Sequence, residues 1–274
     1  PKNRVRPPAF HLVCLISAAR PLLCPRMKPQ AIFNWSGGKD SALALYKVRQ
    51  ASQYDIQTLL TTVSTPYQRI SMHGVRTALL ERQAAALGLP CRQLLLPEMP
   101  SMATYEQLMG DTLRELQQAG ATVSIFGDIF LEDLRRYREA KLAEIGLQAE
   151  FPLWGRPTAE LIREFLGLGF KTITTCVNAQ YLDRSFVGRV IDEEFLRDLP
   201  ANVDPCGENG EFHTFVFDGP LFSQPIAFEK GEIVYREYAA PAPVASDSDD
   251  YDCAPAPAAG PAPLATGFWY CDLL

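Results

Sequence analysis

Ala31-Ile32-Phe33-Asn34-Trp35-Ser36-Gly37-Gly38-Lys39-Asp40-Ser41-Ala42-Leu43-Ala44-Leu45-Tyr46-Lys47-Val48 is the stretch on which the reading of this chain turns. A short apolar run, Ala31 to Trp35, reads as a strand, and Ala42 to Val48 reads as a helix. The two glycines therefore sit where a strand becomes a helix N-terminus. Backbone N–H groups are unpaired there and the helix dipole is positive, which makes the place a ready anion site. Adjacent glycines let the backbone take positive φ and approach a bulky anion. Ser36 and Ser41 add hydroxyls, and Lys39 is expected as a mobile point charge suited to phosphate. Asp40 is the odd member, because a carboxylate repels phosphate. It fits either as a ligand of a Mg²⁺ that bridges to the phosphates or as a cap of the helix. The spacing is neither the Walker A pattern nor the dinucleotide G-x-G-x-x-G.

Outward from this loop, the first half of the chain alternates strand-like and helix-like segments. Ile56 to Val63, Cys91 to Leu96 and Thr122 to Gly127 read as strands. Val75 to Leu87, stopped at Gly88, and Ser101 to Gln118, stopped at Gly120, read as helices. That alternation predicts an α/β fold, a parallel Rossmann-like sheet flanked by helices. Ligands of such sheets bind beyond the carboxyl ends of the strands, where the Ser36–Ser41 loop, Ser64-Thr65 and Asp128 are expected. The second half predicts a helix over 131–146, a helix from Thr158 to Gly167, a strand from Lys171 to Val177 and a helix over roughly 187–199. Strands follow at Thr214–Phe217 and Ile226–Tyr235. Ala239 to Thr266 alternates Ala and Pro around Asp247-Ser248-Asp249-Asp250 and is expected to be disordered. Gly267 to Leu274 is apolar again and reads as a final strand returning to a sheet.

The domain division expected is a disordered extension at 1–26, an anion-binding domain at 27–145 and a smaller C-terminal α+β domain at 146–274 interrupted by the insertion at 239–266. Phe10 to Ala19 is too short to span a bilayer, and Met27 opens the run that leads into the first strand. No membrane association is expected. A formal charge of −6 argues against general nucleic-acid binding. Seven cysteines without a C-x-x-C pair imply neither a disulfide framework nor a zinc site, and a cytoplasmic protein with reduced thiols is expected.

A second polar cluster lies at Cys206-Gly207-Glu208-Asn209-Gly210-Glu211-Phe212-His213-Thr214. Two glycines and two carboxylates beside a histidine make a poor core; on residues alone the cluster is either a solvated turn or part of a site. Ser36 to Ser41 resembles the PP-loop, SGGxDS, of the N-type ATP pyrophosphatases. Together with Pro152-Leu153-Trp154, Gly207 to Thr214 and Asp218-Gly219-Pro220-Leu221-Phe222, the order and spacing resemble the diphthine–ammonia ligase family, a branch of the adenine nucleotide α-hydrolase-like fold. The resemblance covers roughly residues 28–238 and the last strand. It departs from the usual motif at Asn209 and His213, and has Gly127-Asp128-Ile129 where relatives tend to have Gly-Ala-Ile. Ser71-Met72-His73-Gly74-Val75-Arg76 is similar to bacterial members, for which the acceptor would differ from the diphthine of elongation factor 2.

The resemblance implies an ATP-dependent amide ligase that forms AMP and pyrophosphate by adenylating a substrate carboxylate and then amidating it with free ammonia. It implies ATP held by Ser36, Gly37, Gly38, Lys39, Asp40, Ser41, His73 and Asp128, and Mg²⁺ with Asp40 as its ligand. Catalysis would fall to Glu208, Glu211 and His213. Of these, His213 and Glu211 are expected as the base, with His213 poised near neutrality, and Glu208 as the holder of a cationic group or metal. The other readings are a PP-loop enzyme of a different outcome, such as tRNA base thiolation, and a non-catalytic ATP-binding module.

Overall fold

Along β1 (Gln30–Asn34) the side chains alternate between two faces: Ala31 and Phe33 enter one apolar cluster and Ile32 the other. In the computed structural model, which describes residues 28–238 and 266–274, β1 is the middle of a sheet with parallel neighbours. β2 (Asp55–Ser64) and β5 (Val123–Ile125) flank it, β4 (Cys91–Leu96) pairs parallel outside β2, and β6 (Gln148–Glu150) pairs parallel outside β5. A two-residue strand, β3 (Arg69–Ile70), runs antiparallel to the end of β2. Helices cover both faces, as the βαβ alternation predicts. Leu43 and Leu45 of α1 (Lys39–Ala51) and Leu79 and Leu80 of α2 (Thr77–Leu87) fill the cluster around Phe33. Leu113 of α3 (Met102–Gln118) and Leu142 of α4 (Glu132–Ala143) fill the one around Ile32.

The second sheet is antiparallel throughout, in the order β8 (Phe212–Asp218), β7 (Lys171–Asn178), β10 (Thr266–Leu273) and β9 (Lys230–Tyr238). The last strand returns to this sheet, between β7 and β9, as its apolar composition predicts. Phe165 of α5 (Thr158–Gly167), Phe212 and Phe215 extend the first apolar cluster across the junction, so the two sheets share a core. The extension at 1–26 and nearly all of the segment at 239–266 lie outside the described residues.

One helix is much shorter than its pattern suggests. Residues 187–199 hold only α6 (Glu193–Asp198), preceded by a 3-10 turn at Arg184–Phe186. Tertiary pairing overrides helix propensity here: Gly188 N–H donates to Thr174 O, Thr174 N–H to Arg189 O and Ile191 N–H to Thr172 O, which holds 188–191 extended along β7. Asp192 then caps α6 by accepting from Phe195 N–H at 2.9 Å. Both β3 and β6, of two and three residues, are too short to carry a strand signature in the sequence.

Candidate active site

The Ser36–Ser41 loop leaves β1 at its carboxyl end and opens α1, and the strand carrying the second motif docks directly onto it. Lys39 N–H donates to Thr214 Oγ1 at 3.0 Å and Val216 N–H donates to Gly37 O at 2.9 Å. Gly37 takes φ +78°, and a Cβ there would lie 2.7 Å from Gln83 Oε1, so both conformation and space require glycine. Ser36 Oγ and Ser41 Oγ stand 3.1 Å apart at the loop mouth, and Ser41 Oγ donates to Gly38 O at 2.9 Å. From the other side comes Gly127, whose Cα hydrogen faces the Asp40–Ser41 backbone so closely that a Cβ would lie 3.0 Å from Ser41 N.

Lys39 is not the mobile surface cation its sequence context suggests. It is 3% exposed, pairs with Asp40 Oδ2 at 2.6 Å, donates to Cys206 O and lies 5.4 Å from the centre of the Phe212 ring. Burial works against its charge, but Asp40 and the neighbouring acidic groups outweigh it and raise its pKa, so the ammonium stays charged. Its side chain thus ties the first loop to the second.

Glu208 and Asp128 meet at the same edge. Glu208 Oε1 accepts from Ile129 N–H at 2.7 Å. Burial, with the charges of Asp40 and Asp128, pushes its carboxyl up to about 7, against the opposing pull of Ile129 N–H and Lys39. Asp128 Oδ2 is buried without a hydrogen-bond partner; Arg138 Nε stands 3.2 Å away, outside hydrogen-bonding alignment. Arg138, an ordinary exposed helix position by sequence, instead lies over the Phe126 ring at 4.3 Å and faces Asp128.

Glu211 and His213 are placed differently from their sequence expectation. Glu211 is 1% exposed, and its Oε1 accepts from Asp204 N–H and Asn209 Nδ2, both at 3.0 Å, while Oε2 is buried without a partner. It braces the loop from inside. His213 packs its ring 4.6 Å from that of His73, and His73 Nδ1 lies 3.2 Å from Thr214 O. Burial lowers both imidazoles, His73 to about 4 and His213 well below its ordinary value, and nearby Lys39 adds to the effect. Neither ring is poised near neutrality; both are neutral at pH 7.

For a divalent cation, no ready cluster of three His, Cys, Asp or Glu ligands exists among the described residues. The donor set that fits is Asp40 with Asp128, ion-paired in this structure with Lys39 and Arg138, the one-or-two-carboxylate arrangement usual where phosphates supply the other ligands of Mg²⁺. Cys206 is buried, its Sγ directed at Thr158 O, and burial pushes the thiol far up, which makes it inert. Sequence reasoning overlooked Gln83, quoted Thr214 only as part of its motif and gave Arg138 no role in the site. Gln83 alone left a trace, as a polar residue on the otherwise apolar face of α2 with Leu79, Leu80 and Leu87.

Comparison with known proteins follows the same two-part division. The diphthamide synthase N-terminal domain family matches residues 27–149 and the diphthamide synthase C-terminal domain family matches residues 157–240. Mouse diphthine–ammonia ligase is 30% identical over 192 residues, which cover 65% of this chain and 71% of the mouse protein. The human diphthine–ammonia ligase is 28% identical over 236 residues, covering 77% and 86%. With both domain families matched in order and the two motifs packed against each other, this chain belongs to the diphthine–ammonia ligase family.

Proposed function

We propose that this chain is an ATP-dependent ligase that joins ammonia to a substrate carboxylate, with release of AMP and pyrophosphate. The observation that carries the reading is the docking of the acceptor motif onto the anion loop, through Lys39 N–H to Thr214 Oγ1 and Val216 N–H to Gly37 O. An acyl-adenylate must meet its nucleophile within hydrogen-bond reach, and two loops so joined put both half-reactions in one place.

In this reading residues 27–145 form the nucleotide domain and 146–274 the acceptor domain. The phosphates of ATP lie on Ser36, Gly37, Gly38 and Ser41, whose hydroxyls and N–H groups stabilise charge as pyrophosphate departs. Lys39 and His73 border that position. Asp40 and Asp128 would hold Mg²⁺, which would offset the triphosphate charge. The substrate carboxylate attacks the α-phosphorus; the P–O bond to pyrophosphate breaks and the acyl-adenylate forms. Ammonia then attacks the acyl carbon, AMP leaves, and a base takes the surplus proton. Glu208 is best matched to that work, since its pKa near 7 keeps it partly ionised at neutral pH. His213, neutral and weakly basic, lines the acceptor side, and Glu211 shapes the loop that presents Glu208.

The acceptor is a carboxylate-bearing molecule; the relatives' name gives diphthine for theirs. Asn209 and His213, the departures from the usual motif, sit where an acceptor would be told apart. An inert Cys206 weighs against a thiolation reading. No helix among the described residues is long and apolar enough to cross a membrane, and we assign the protein to the cytoplasm, where ATP is supplied.

The test is product analysis with a diphthine-bearing acceptor, MgATP and ammonium. AMP and pyrophosphate in equal amounts, dependent on the acceptor, are expected. ADP and phosphate as products would overturn the reading, because the loop would then not be receiving a two-phosphate leaving group.

A further inference from the structure

Outside the two motifs, Gln83, in the middle of α2, is a polar side chain held by three hydrogen bonds in the core. It is fully buried, at 0% exposure, and all of its polar atoms are used. Its Oε1 accepts from Trp35 Nε1 at 3.0 Å, and its Nε2 donates to Gly37 O at 3.0 Å and to Val216 O at 2.6 Å. One amide thus contacts the end of β1, the first glycine of the anion loop and β8 of the second sheet.

The contact with Gly37 has a directional consequence. Gly37 O accepts two hydrogen bonds from inside the protein, one from Gln83 Nε2 and one from Val216 N–H. A peptide unit is planar and trans, so its N–H points opposite to its C=O. With Gly37 O held against Gln83 and Val216, Gly38 N–H must point to the opposite side, where it donates to Ser36 Oγ at 3.3 Å, a hydroxyl of the loop assigned to the phosphates. Between two glycines a peptide plane can turn over with little steric penalty. Turned over, it would aim a carbonyl oxygen, rather than an N–H, at the anion position, and would repel phosphate.

We propose that Gln83 is a positioning residue that locks the Gly37–Gly38 peptide with its N–H toward the phosphates, and that Val216 supplies the second half of the lock. This rests on the reading of Ser36–Ser41 as the phosphate site and deepens it. Two features of the sequence follow from the lock. A primary amide is needed at 83, because only Gln or Asn both accepts from an indole and donates to two carbonyls. And because Val216 belongs to the second sheet, the anion loop acquires its binding conformation only when that sheet is docked.

The experiment compares binding of MgATP, magnesium pyrophosphate and AMP to wild-type protein and to Gln83→Met, a substitution of similar size that removes all three hydrogen bonds. An unlocked peptide predicts that ATP and pyrophosphate bind about tenfold or more weakly, as expected when a buried polar contact is left unmade, while AMP binding changes little. A merely structural role would weaken all three alike, and equal losses for AMP and pyrophosphate would overturn the lock. Unchanged pyrophosphate affinity would overturn it too. Failure of the wild-type protein to bind ATP or pyrophosphate at all would overturn the functional reading, and the lock with it.

Gln83→Glu keeps the proposal testable if the methionine variant does not fold. Its carboxyl still accepts from Trp35. When neutral it donates to one carbonyl, and when ionised it repels both. Burial raises such a carboxyl's pKa. The variant's pyrophosphate affinity, relative to wild type, should therefore fall as pH rises from about 5 to 8. A ratio flat with pH contradicts the lock.

Discussion

The loop at Ser36–Ser41 and the loop at Asp204–His213 meet at Lys39, yet they are held in shape by opposite means. The first is positioned from outside: Gln83, Thr214 and Val216, distant in sequence, fix its carbonyl and N–H groups. The second is held from within. Asp204 Oδ2 accepts from Cys206 N–H and Glu208 N–H, and Glu211 Oε1 accepts from Asp204 N–H and Asn209 Nδ2. The first loop keeps a few bonds of its own, Gly38 N–H to Ser36 Oγ and Ser41 Oγ to Gly38 O, but the orientation of its Gly37–Gly38 peptide is set by neighbours. A loop that presents one carboxylate, Glu208, can spend other carboxylate oxygens on its own frame, while Asp204 Oδ1, Cys206 O and Glu211 O accept from other elements, from Thr158, Lys39 and Asn178. The difference says which mutations should act at a distance and which only locally.

Lys39→Ala attacks the one side chain that both loops share and should have the largest effect. It removes a cation beside the leaving pyrophosphate, for which a loss of about 10² to 10³ in turnover is expected. It also strands Asp40 and Cys206 O in a buried setting, so chemical denaturation should show a loss of about 1–3 kcal/mol. Normal stability in this variant would mean that the tie between the loops carries no weight.

Glu208→Gln comes next. Burial and the charges of Asp40 and Asp128 push the Glu208 carboxyl up to about 7, and Mg²⁺ on those carboxylates would bring it down, so its ionisation is expected at or below pH 7. As a base it works only when ionised, so at a fixed concentration of free ammonia the wild-type amidation rate should climb toward pH 7 and then level. The glutamine variant should lose that rise and run roughly 10²-fold slower at pH 8, as for the loss of a general base. A preserved pH profile would assign the proton to another group.

Glu211→Ala sharpens the contrast between outside and inside support. Asp204 N–H and Asn209 Nδ2 would lose their acceptor. Stability should fall by about 1–3 kcal/mol and acceptor use should weaken, while MgATP affinity holds. An equal loss of ATP affinity would show that the second loop also shapes the first.

Asp272→Asn should have the smallest effect. Asp272, near the end of β10, accepts from Arg69 Nη1 at 2.7 Å and Arg76 Nη2 at 2.6 Å, and these bonds hold its carboxyl well below the ordinary carboxylate range. A depressed folded-state pKa gives stability that is present above the unfolded pKa and is lost as pH falls through the folded one. Arg76 is nearly half exposed, so solvent screening limits the loss at pH 7 to about 1 kcal/mol, measured as a midpoint shift in urea.

The parallel sheet was legible because its signals are local: apolar runs of strand length, helices with glycine stops at Gly88 and Gly120, and a glycine pair at a strand-to-helix turn. The helix over 187–199 was misread because the pairing of 188–191 with β7 cannot be seen in propensity. The site divided in the same way. Ser36 to Ser41 announced their chemistry through residue type and spacing. The burial of Lys39, the inward turn of Glu211, the lowered imidazoles of His73 and His213 and the amide of Gln83 all depend on how the second sheet, which begins at Lys171, docks on the first. No local pattern encodes that docking. Glu208 was visible as a carboxylate in a glycine-rich turn, but its elevated pKa comes from burial between the two sheets, with added charge from Asp40 and Asp128 of the other sheet's loops.

The central claim is that the two loops form one active site, and a crystal structure of the protein with magnesium and an ATP analogue that cannot be cleaved between the α and β phosphates tests it most directly. The account predicts the β and γ phosphates within hydrogen-bond distance of Ser36 Oγ, Ser41 Oγ and the Gly38 N–H, with the α-phosphorus open toward Glu208. Phosphates bound elsewhere, for example in the hollow of about 250 Å³ lined by Lys28, Arg49, Tyr54 and Asp55, or on the loop with the α-phosphorus turned away from the second motif, would contradict it.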